Sequence, residues 1–408
     1  MAEKSIPIHS VLMPAYYKDF HCIMGACQDN CCDDGWRIEF SKKDYLNIKR
    51  TPKSGEMEEL MRQGMRRLRE KEHDGMYAEF HVTEAGRCAF HTPEGLCRLQ
   101  LECGEETLPK VCRIYPRREV YTPAALEYSL SPSCEGVLAL LWDLTDGVDF
   151  VEDPLPPQKH RNALTKTGAE ARFAAVRELW IDALQARGLP LAQRLILLGL
   201  LTQQLQDLDW DDEAALDRWL ATGAALVQDP TALSDQLTRM QGNRKMFLSN
   251  NLQLLMKQFN TLGPDIPGEL LAVITGKRNL EEVDPDRVTI NAGRYQELEG
   301  KLEELLGHSE HFFENLLVTI AFFLALPALN APEELWKGYV NLCNLYGFYR
   351  FAAVCAMDKE VSRERLFHVL VHVSRSLIHN PTQRSRLRDE LFQNDSATLA
   401  HMAILTGG

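Results

Sequence analysis

The sequence predicts a mainly α fold, with a small cysteine-rich α+β metal-binding N-terminal domain followed by an all-α helical domain. Two observations predict it. Nine of the eleven cysteines precede residue 135, and after residue 168 strand-like alternation almost vanishes while apolar residues recur at helical spacing. A polar, proline-rich stretch separates the two parts. We therefore expect a metal domain at 1–150, a linker at 151–168 and a helical domain at 169–408.

The N-terminal part predicts short, mixed elements. Alternation predicts strands at 36–40 and 77–82, and a hairpin formed by 119–121 and 126–130. Ser41-x-x-Asp44 resembles a capping box that opens a helix to about residue 49. Apolar spacing predicts further helices at 55–71 and from Ser131 through 142.

About eight helices are expected in the helical part, because apolar residues recur there every three to four positions. None of the segments shows a clean internal repeat, so a solenoid is not predicted. The predicted helices span 168–186, 191–208, 212–228, 231–260, 291–306, 310–326, 332–349 and 362–378.

Composition excludes several classes of function. The chain of 408 residues has a formal net charge of −13, which makes it a poor binder of nucleic-acid phosphates. Its longest apolar stretch, 316–329, is too short to cross a bilayer and contains Pro327, so we predict a buried helix there. No secretory signal is recognised at the start. We expect a cytoplasmic protein with no nucleic-acid partner and no membrane insertion.

The clustered cysteines predict a metal site. Disulfides suit small secreted chains, which this chain does not resemble. Structural zinc favours paired C-x2-4-C knuckles; Cys27-x3-Cys31 fits one, whereas Cys88 and Cys112 have no close partner. An iron–sulfur site accepts thiolates from distant loops and is favoured, with zinc as the open alternative. The nine cysteines are Cys22, Cys27, Cys31, Cys32, Cys88, Cys97, Cys103, Cys112 and Cys134.

Cys134 has an independent reason to bind metal. Ser131-Pro-Ser-Cys134 opens a predicted helix, and the positive end of the helix dipole favours a thiolate there. The adjacent thiols of Cys31 and Cys32 point in different directions. That pair is therefore expected to serve two sites, or to bind through one thiol while the other packs.

Familiar cofactor motifs are absent from the sequence. No G-x-G-x-x-G follows a strand and no Walker loop occurs, which argues against a nucleotide in a doubly wound sheet. G-x-S-x-G and H-E-x-x-H are also missing. The C-x3-C-x2-C triad of radical S-adenosylmethionine enzymes is approached only by Cys27-x3-Cys31-Cys32, which breaks its spacing.

The order of the cysteine motifs resembles that of the flagellin lysine N-methylase family of bacteria. That family is in turn similar to a broad group of zinc- or iron-chelating cysteine-cluster domains. The motifs that carry the resemblance are Asp19-Phe-His-Cys22, Cys27, Cys31-Cys32-Asp-Asp-Gly-Trp36, Cys88-Ala-Phe, Leu96-Cys97-Arg-Leu-Gln100, Leu108-Pro-Lys-Val-Cys112-Arg-Ile-Tyr-Pro-Arg117, Glu127-Tyr-Ser-Leu130, Ser131-Pro-Ser-Cys134 and, near the other end, Ser374-Arg375 and His379-Asn380.

The resemblance implies methyl transfer from S-adenosylmethionine to lysine ε-amines of flagellin, with a [4Fe–4S] cluster. An iron atom with an open position can chelate the donor, which would account for the missing glycine loop. The resemblance also implies eight metal ligands and leaves Cys103 outside the motif. The implied ligands are Cys22, Cys27, Cys31, Cys32, Cys88, Cys97, Cys112 and Cys134.

Four further residues follow from this chemistry. Arg113 or Arg117 is predicted to bind the donor's carboxylate. Tyr115 and Glu127 are predicted to assist loss of the proton from the lysine nucleophile. The alternative function is a non-enzymatic zinc- or iron-chelating or redox module joined to a helical domain that binds protein.

Overall fold

A computed structural model of the chain confirms the mainly α fold with a small α+β N-terminal part. The structure describes residues 10–33, 36–68, 75–154, 172–230, 233, 237, 243–263, 265–284, 289–307 and 311–407. Most of the segment predicted as a linker, 155–168, lies outside these residues. The first four positions of the linker predicted at 151–168, residues 151–154, belong to a strand instead.

The chain forms two compact units. The cysteine unit comprises the described parts of Phe20–Arg118 together with Cys134–Gly136. The helical unit comprises the described parts of Met1–Asp19, Glu119–Ser133 and Val137–Gly408. The domain boundaries at 150 and 168 stay a prediction.

Short elements build the cysteine unit. Strands β2 (Glu39–Phe40), β3 (Met65–Arg67) and β4 (Ala78–Phe80) form an antiparallel sheet in the order β2-β4-β3. Helix α1 (Lys42–Arg50) begins at Ser41, whose hydroxyl accepts a hydrogen bond from the Asp44 amide at 3.1 Å, as the capping box predicts. The other helices are α2 (Gly55–Gly64), α3 (Arg98–Cys103) and α4 (Lys110–Ile114).

The helix predicted at 55–71 is too long. It ends at Gly64, and the next three residues form β3, which pairs Met65 with Phe80. The apolar spacing continued through Met65 and Leu68, but backbone pairing with β4 overrides that local preference. The predicted strand at 77–82 is confirmed in its centre as β4.

A small apolar core of the cysteine unit packs against several of its cysteines. Phe40, Phe80 and Phe90 form a chain of ring contacts, with centroids 4.7 and 4.8 Å apart. Cys88, Cys97 and other half-buried thiols pack against this core. The remaining buried members are Ile48, Met57, Met61, Ala78, Leu99 and Leu108.

Most of a second sheet belongs to the helical unit, and the sequence predicted this sheet only in part. The strands β1 (Ser10–Pro14), β5 (Arg117–Tyr121), β6 (Leu126–Leu130) and β7 (Phe150–Pro154) are arranged in the order β5-β6-β1-β7. Strands β5 and β6 match the predicted hairpin. Strand β1 runs parallel to β6 and antiparallel to β7.

Twelve described α-helices belong wholly or mostly to the helical unit. After residue 168 the structure describes eleven α-helices, where about eight were predicted; α10, α15 and α16 have no predicted counterpart. The helices are α5 (Glu135–Asp143), α6 (Phe173–Leu184), α7 (Leu191–Gln206), α8 (Glu213–Gln228), α9 (Arg244–Gln258), α10 (Ile266–Thr275), α11 (Ala292–Leu306), α12 (His311–Phe323), α13 (Pro332–Ala356), α14 (Arg363–Leu377), α15 (Pro381–Gln393) and α16 (Leu399–Thr406).

Helices α12 and α13 form the centre of this unit. Almost every residue of α12 is buried, which confirms the buried helix predicted in the apolar stretch 316–329 as far as Phe323; residues 324–329 lie beyond the end of the helix. Helix α13 is 25 residues long and buries large side chains such as Tyr339, Phe348 and Phe351. Among the described helices, none is long and apolar enough to span a bilayer.

Candidate metal centre

Five of the predicted ligands come together in the cysteine unit; we call them the five-thiol group. Electrostatic interactions connect the thiol of Cys112 with those of Cys97, Cys88 and Cys31, and the thiol of Cys32 with those of Cys31, Cys88 and Cys112. The two adjacent cysteines thus both reach the same group. The members are Cys31, Cys32, Cys88, Cys97 and Cys112.

The surroundings disfavour charge on these thiols. A hydrogen bond with Cys31, then burial and then neighbouring thiolate charge raise the pKa of Cys32. Burial, reinforced by neighbouring thiolates, raises the pKa of Cys112 and brings the pKa of Cys88 to about 11. Several anions cannot share this site without a compensating cation. A bound metal supplies that positive charge and converts thiols into thiolate ligands.

Backbone amides oppose this effect at two of the cysteines. The Phe90 amide lowers the pKa of the Cys88 thiol, and the Leu99 and Gln100 amides lower that of Cys97, although burial still dominates both. Such N–H···S contacts stabilise thiolate charge and tune a bound metal. The loops of this group therefore provide donors to the sulfurs as well as the sulfurs themselves.

Two matching turns present Cys88 and Cys97. In the first, the Thr83 hydroxyl accepts from the Arg87 amide at 3.2 Å; in the second, the Thr92 hydroxyl accepts from the Leu96 amide, also at 3.2 Å. Each turn contains a glycine of positive φ, +79° at 86 and +76° at 95, where other residues would be strained. Both turns follow the sequence pattern T-x2-G-x-C.

Asn30 connects the adjacent cysteines to the second of these turns. Its side-chain oxygen accepts from the Cys32 amide at 2.9 Å, and its side-chain nitrogen donates to the Gly95 carbonyl at 2.6 Å. The Cys88 amide also donates to the Cys32 carbonyl at 2.8 Å. The second and third of these bonds join segments that lie some sixty residues apart in the sequence, and so help to position the thiols.

A second group of thiols surrounds Glu135. The Cys27 thiol donates to Glu135 Oε2 at 3.3 Å, and the backbone amide of Gln28 donates to the same oxygen at 2.8 Å. Burial, followed by the charge of Glu135 and then that of Cys134, raises the pKa of Cys27. Cys134 is therefore close to Cys27, immediately before helix α5. We call Cys27, Cys134 and Glu135 the Glu135 group.

Two cysteines of the N-terminal third differ from these groups. Cys22 is exposed, and its sulfur accepts from the Met24 amide at 3.4 Å. Cys103 interacts with Glu102 and Lys53, as its pKa shows: it is raised by burial and by Glu102 and lowered by Lys53. The resemblance had left Cys103 outside the motif, and it provides a natural control for the other cysteines.

The chemistry of the donor set fits a metal. All eleven cysteines of the chain are free thiols, so the disulfide alternative finds no support. Five sulfurs on three loops and a short helix exceed the four ligands of a tetrahedral zinc ion and suffice for an iron–sulfur cluster. The identity of the metal stays a prediction.

Arg113 and Arg117, predicted to bind a donor carboxylate, both lie in the cysteine unit. Arg113 donates through Nη1 to Glu106 at 3.0 Å, while its buried Nε has no hydrogen-bond partner among the described residues. Arg117 donates to the Phe20 carbonyl at 3.3 Å, with its guanidinium over the Phe20 ring at 5.0 Å. Arg113 therefore keeps an unused donor beside Cys112.

The two predicted acid–base residues lie in different units. Tyr115 of the cysteine unit is half-buried, and its ring meets that of Trp36 edge-on at 5.5 Å. Glu127 of the helical unit is buried; it accepts from Thr122 at 3.0 Å and forms an ion pair with Arg177. That pair gives Glu127 a structural role, while its part in catalysis stays a prediction.

Sequence reasoning missed three kinds of residue at this centre. The two threonine–glycine turns could have been found from the repeated T-x2-G-x-C pattern. Asn30 had a weaker signal, a turn-forming residue next to a cysteine. Glu135 carried none, because a carboxylate in the first turn of a helix is commonly explained by the helix dipole alone.

Comparisons with known proteins agree with the resemblance. The model of the FliB lysine N-methylase C-terminal domain matches residues 177–405. A lysine-N-methylase of Salmonella choleraesuis and one of Salmonella typhimurium are each 27% identical over 158 residues, 38% of either chain. The flagellar biosynthetic protein FliU of Salmonella muenchen is 27% identical over 147 residues, which are 35% of this chain and 83% of that protein.

The extent of these matches differs. The aligned part spans only 38% of the length of the two curated methylases, and no solved structure matches the chain. The family model, in contrast, covers more than half of this chain and most of its helical unit. The chain therefore belongs to the FliB lysine N-methylase family.

Proposed function

We propose that this protein transfers methyl groups from S-adenosylmethionine to lysine ε-amines of flagellin, with the aid of an iron–sulfur cluster. The family match carries the proposal, since the similar proteins bear the names lysine-N-methylase and flagellar biosynthetic protein. The five-thiol group supports the metal part of it. The negative charge of the chain also suits a lysine-bearing substrate.

The five-thiol group would hold the cluster. Cys31, Cys32, Cys88, Cys97 and Cys112 provide more thiols than a donor-binding cluster requires, so one of them can serve as a hydrogen-bonding neighbour. When bound, such a cluster supplies an iron atom with an open position for the amino and carboxylate groups of the methyl donor. The turns at Thr83 and Thr92 would fix the positions of two ligands.

Arg113 would orient the methyl donor. Its unused Nε–H is available to a carboxylate oxygen, and its position next to Cys112 in the sequence places it beside a predicted ligand. The Glu106 contact at Nη1 is exposed at its carboxylate end, where salt and water weaken such pairs. A bound carboxylate would therefore compete well for this guanidinium.

The transfer itself is a displacement at carbon. The lone pair of a neutral lysine amine attacks the methyl carbon of the sulfonium; the N–C bond forms as the C–S bond breaks, and sulfur leaves with the electron pair as a thioether. Before the attack, the lysine ammonium has to give up one proton, and Tyr115 and Glu127 are the predicted acceptors, Tyr115 through its phenolate form. The methylated product keeps its positive charge as an ammonium, and the released thioether is neutral.

The test measures methylation directly. The full chain, purified without oxygen and loaded with iron and sulfide, is mixed with flagellin and S-adenosylmethionine, and the flagellin is examined by mass spectrometry. We expect mass increases of whole methyl groups on lysine residues. Cys112→Ser should abolish them together with the visible absorbance of the cluster, whereas Cys103→Ser should leave both unchanged.

Two outcomes would contradict the proposal. Unmodified flagellin in the presence of an intact cluster would exclude methyl transfer and favour the chelating or redox module. Full activity of a protein that contains only zinc, without iron or sulfide, would keep the enzyme and overturn the cluster. Metal analysis of the same sample separates the two cases.

A further inference from the structure

A polar cavity of about 90 Å³ lies within the helical unit, among helices α9, α13, α15 and α16. Neither the methyl-transfer chemistry nor the cysteines use it. Its walls combine apolar leucines with an unusual number of side-chain amides. The amide-bearing residues are Asn250, Gln253, Asn344 and Asn394; the other lining residues are Leu254, Lys257, Leu387, Glu390, Leu391, Ser396, His401 and Leu405.

Asn344 is the least exposed polar residue that lines this cavity. It belongs to α13, is 8% exposed, and its side-chain amide has no hydrogen-bond partner among the described residues. Leu254, Leu387 and Leu405 are buried beside it. The exposed remainder of Asn344 opens to the cavity, so a ligand there that hydrogen-bonds to the amide would be stabilised.

The rim of the cavity offers both hydrogen-bond donors and hydrogen-bond acceptors, and its charges are paired. Gln253 and Asn394 are exposed there and, like Asn344, have no side-chain partner within the described part of the chain. The charged residues Lys257 and Glu390 are paired with each other. A cation or anion would therefore meet no unpaired charge, whereas a neutral group with both a donor and an acceptor would satisfy the amides.

We propose that this cavity binds the side-chain carboxamide of an asparagine or glutamine residue of a polypeptide partner. A carboxamide presents one acceptor and two donors, which pair reciprocally with the amide of Asn344. The volume has room for about three water molecules, which suits one side-chain group and not a larger ligand. Because one such contact is weak, the group has to be part of a longer chain that adds further contacts.

The test uses the full chain and two capped amino acids. N-acetylglutamine N-methylamide and its glutamate counterpart share every group except the terminal amide, and their binding is followed by ligand-observed saturation-transfer NMR. We expect saturable binding of the glutamine compound, about tenfold tighter than that of the glutamate compound, since the ionised carboxylate offers no donor and meets no unpaired cation.

Asn344→Leu is the deciding variant, and Asn341→Leu is its matched control. Asn341 lies one turn earlier on the same helix, is 7% exposed, and does not line the cavity. We expect Asn344→Leu to weaken glutamine binding at least about tenfold and Asn341→Leu to change it less than about twofold. The leucine variants keep the branched shape and the four side-chain heavy atoms of asparagine, and both add the same volume.

Equal binding of the two compounds, or unchanged binding to Asn344→Leu, would overturn the proposal. Non-saturable binding would do the same and would mark the cavity as a site for ordered water. If Asn344→Leu does not fold, as judged by circular dichroism, the half-exposed and exposed positions Asn250→Ala and Asn394→Ala carry the test together. Their double variant should then lose at least about fivefold in affinity.

Discussion

The two units of this protein are stabilised in different ways. In the helical unit, α12 and α13 bury nearly all of their length, and large rings such as Tyr339 and Phe351 are fully enclosed. In the cysteine unit, nine buried residues form the apolar core, and three members of the five-thiol group, Cys88, Cys97 and Cys112, pack against it. Hydrophobic burial therefore dominates the first unit, whereas the thiols of the second would carry charge only beside a compensating cation.

The two units also differ in which feature of the sequence points to the family. The family model matches 177–405, within the apolar unit, while the motifs that predict chemistry lie before residue 135. Apolar cores conserve volume and pattern, and metal sites conserve individual side chains. The two units therefore carry separate kinds of evidence about the same protein.

Removal of the metal should have the largest effect and should affect only one unit. Chelation of the loaded protein is expected to raise hydrogen exchange throughout 36–68 and 75–118, because metal binding contributes directly to the folding free energy of such sites. Helices α12 and α13 should keep their protection. Equal loss of protection in both units would show that the apolar core also depends on the metal.

Phe351→Ala should be the most destabilising single substitution of the helical unit among those considered. The side chain is fully buried, and truncation leaves a cavity at a cost of about 3–5 kcal/mol. Denaturant unfolding measures this loss. The same variant should retain its full content of bound metal, because Phe351 packs in the core of the helical unit and the thiols belong to the cysteine unit. Loss of metal from this variant would contradict the view that the two units are stabilised separately.

Glu127→Gln tests a buried ion pair and a predicted catalytic group together. It leaves the Arg177 guanidinium buried without its counter-charge, which is expected to cost about 3 kcal/mol. Glu59→Gln is the control, because the Glu59–Arg62 pair of the cysteine unit is exposed and its loss should not be measurable.

The same Glu127→Gln protein decides the catalytic role of Glu127. If the carboxylate accepts the lysine proton, methylation of flagellin should fall sharply at a temperature where the variant is still folded. Methylation that declines only in step with the folded fraction would assign Glu127 to structure alone. Circular dichroism of the reaction sample provides that fraction.

The smallest expected effect compares two equivalent helix caps. Ser41 accepts from the Asp44 amide at 3.1 Å in the cysteine unit, and Ser362 accepts from the Arg365 amide at 3.1 Å in the helical unit. Substitution of either by alanine should cost about 1 kcal/mol. Hydrogen exchange should rise locally at α1 for Ser41→Ala and remain low at α14 for Ser362→Ala, because α14 is held by its buried face.

The fold was predictable where local pattern and packing agree. The helices that begin near Leu191, Glu213 and Ala292 appear within two residues of their predicted bounds, because their apolar spacing is also their buried face. Helix α13 continues seven residues beyond its predicted end, since it is apolar on all sides and gives no periodic signal at its end. Strand β1 was missed because its partners follow more than a hundred residues later.

The candidate site was predictable as a set of residues and not as a geometry. The sequence named the thiols of the five-thiol group, but the division between that group and the Glu135 group depends on how distant loops meet. Hydrogen bonds such as those of Asn30 to Cys32 and Gly95 have no periodic signal. The ion pair of Glu127 with Arg177 was invisible for the same reason.

The position of the cysteine unit within the chain has a consequence for synthesis on the ribosome. Strand β1 is translated first, but the strands β6 and β7 that flank it emerge only after all of 20–118. At about 5–20 residues per second, the intervening segment takes several seconds to appear. During that interval the thiols of 22–112 are outside the ribosome while the sheet of the helical unit is still incomplete. A cell that delivers metal to nascent chains would thus have a defined period in which to load this one.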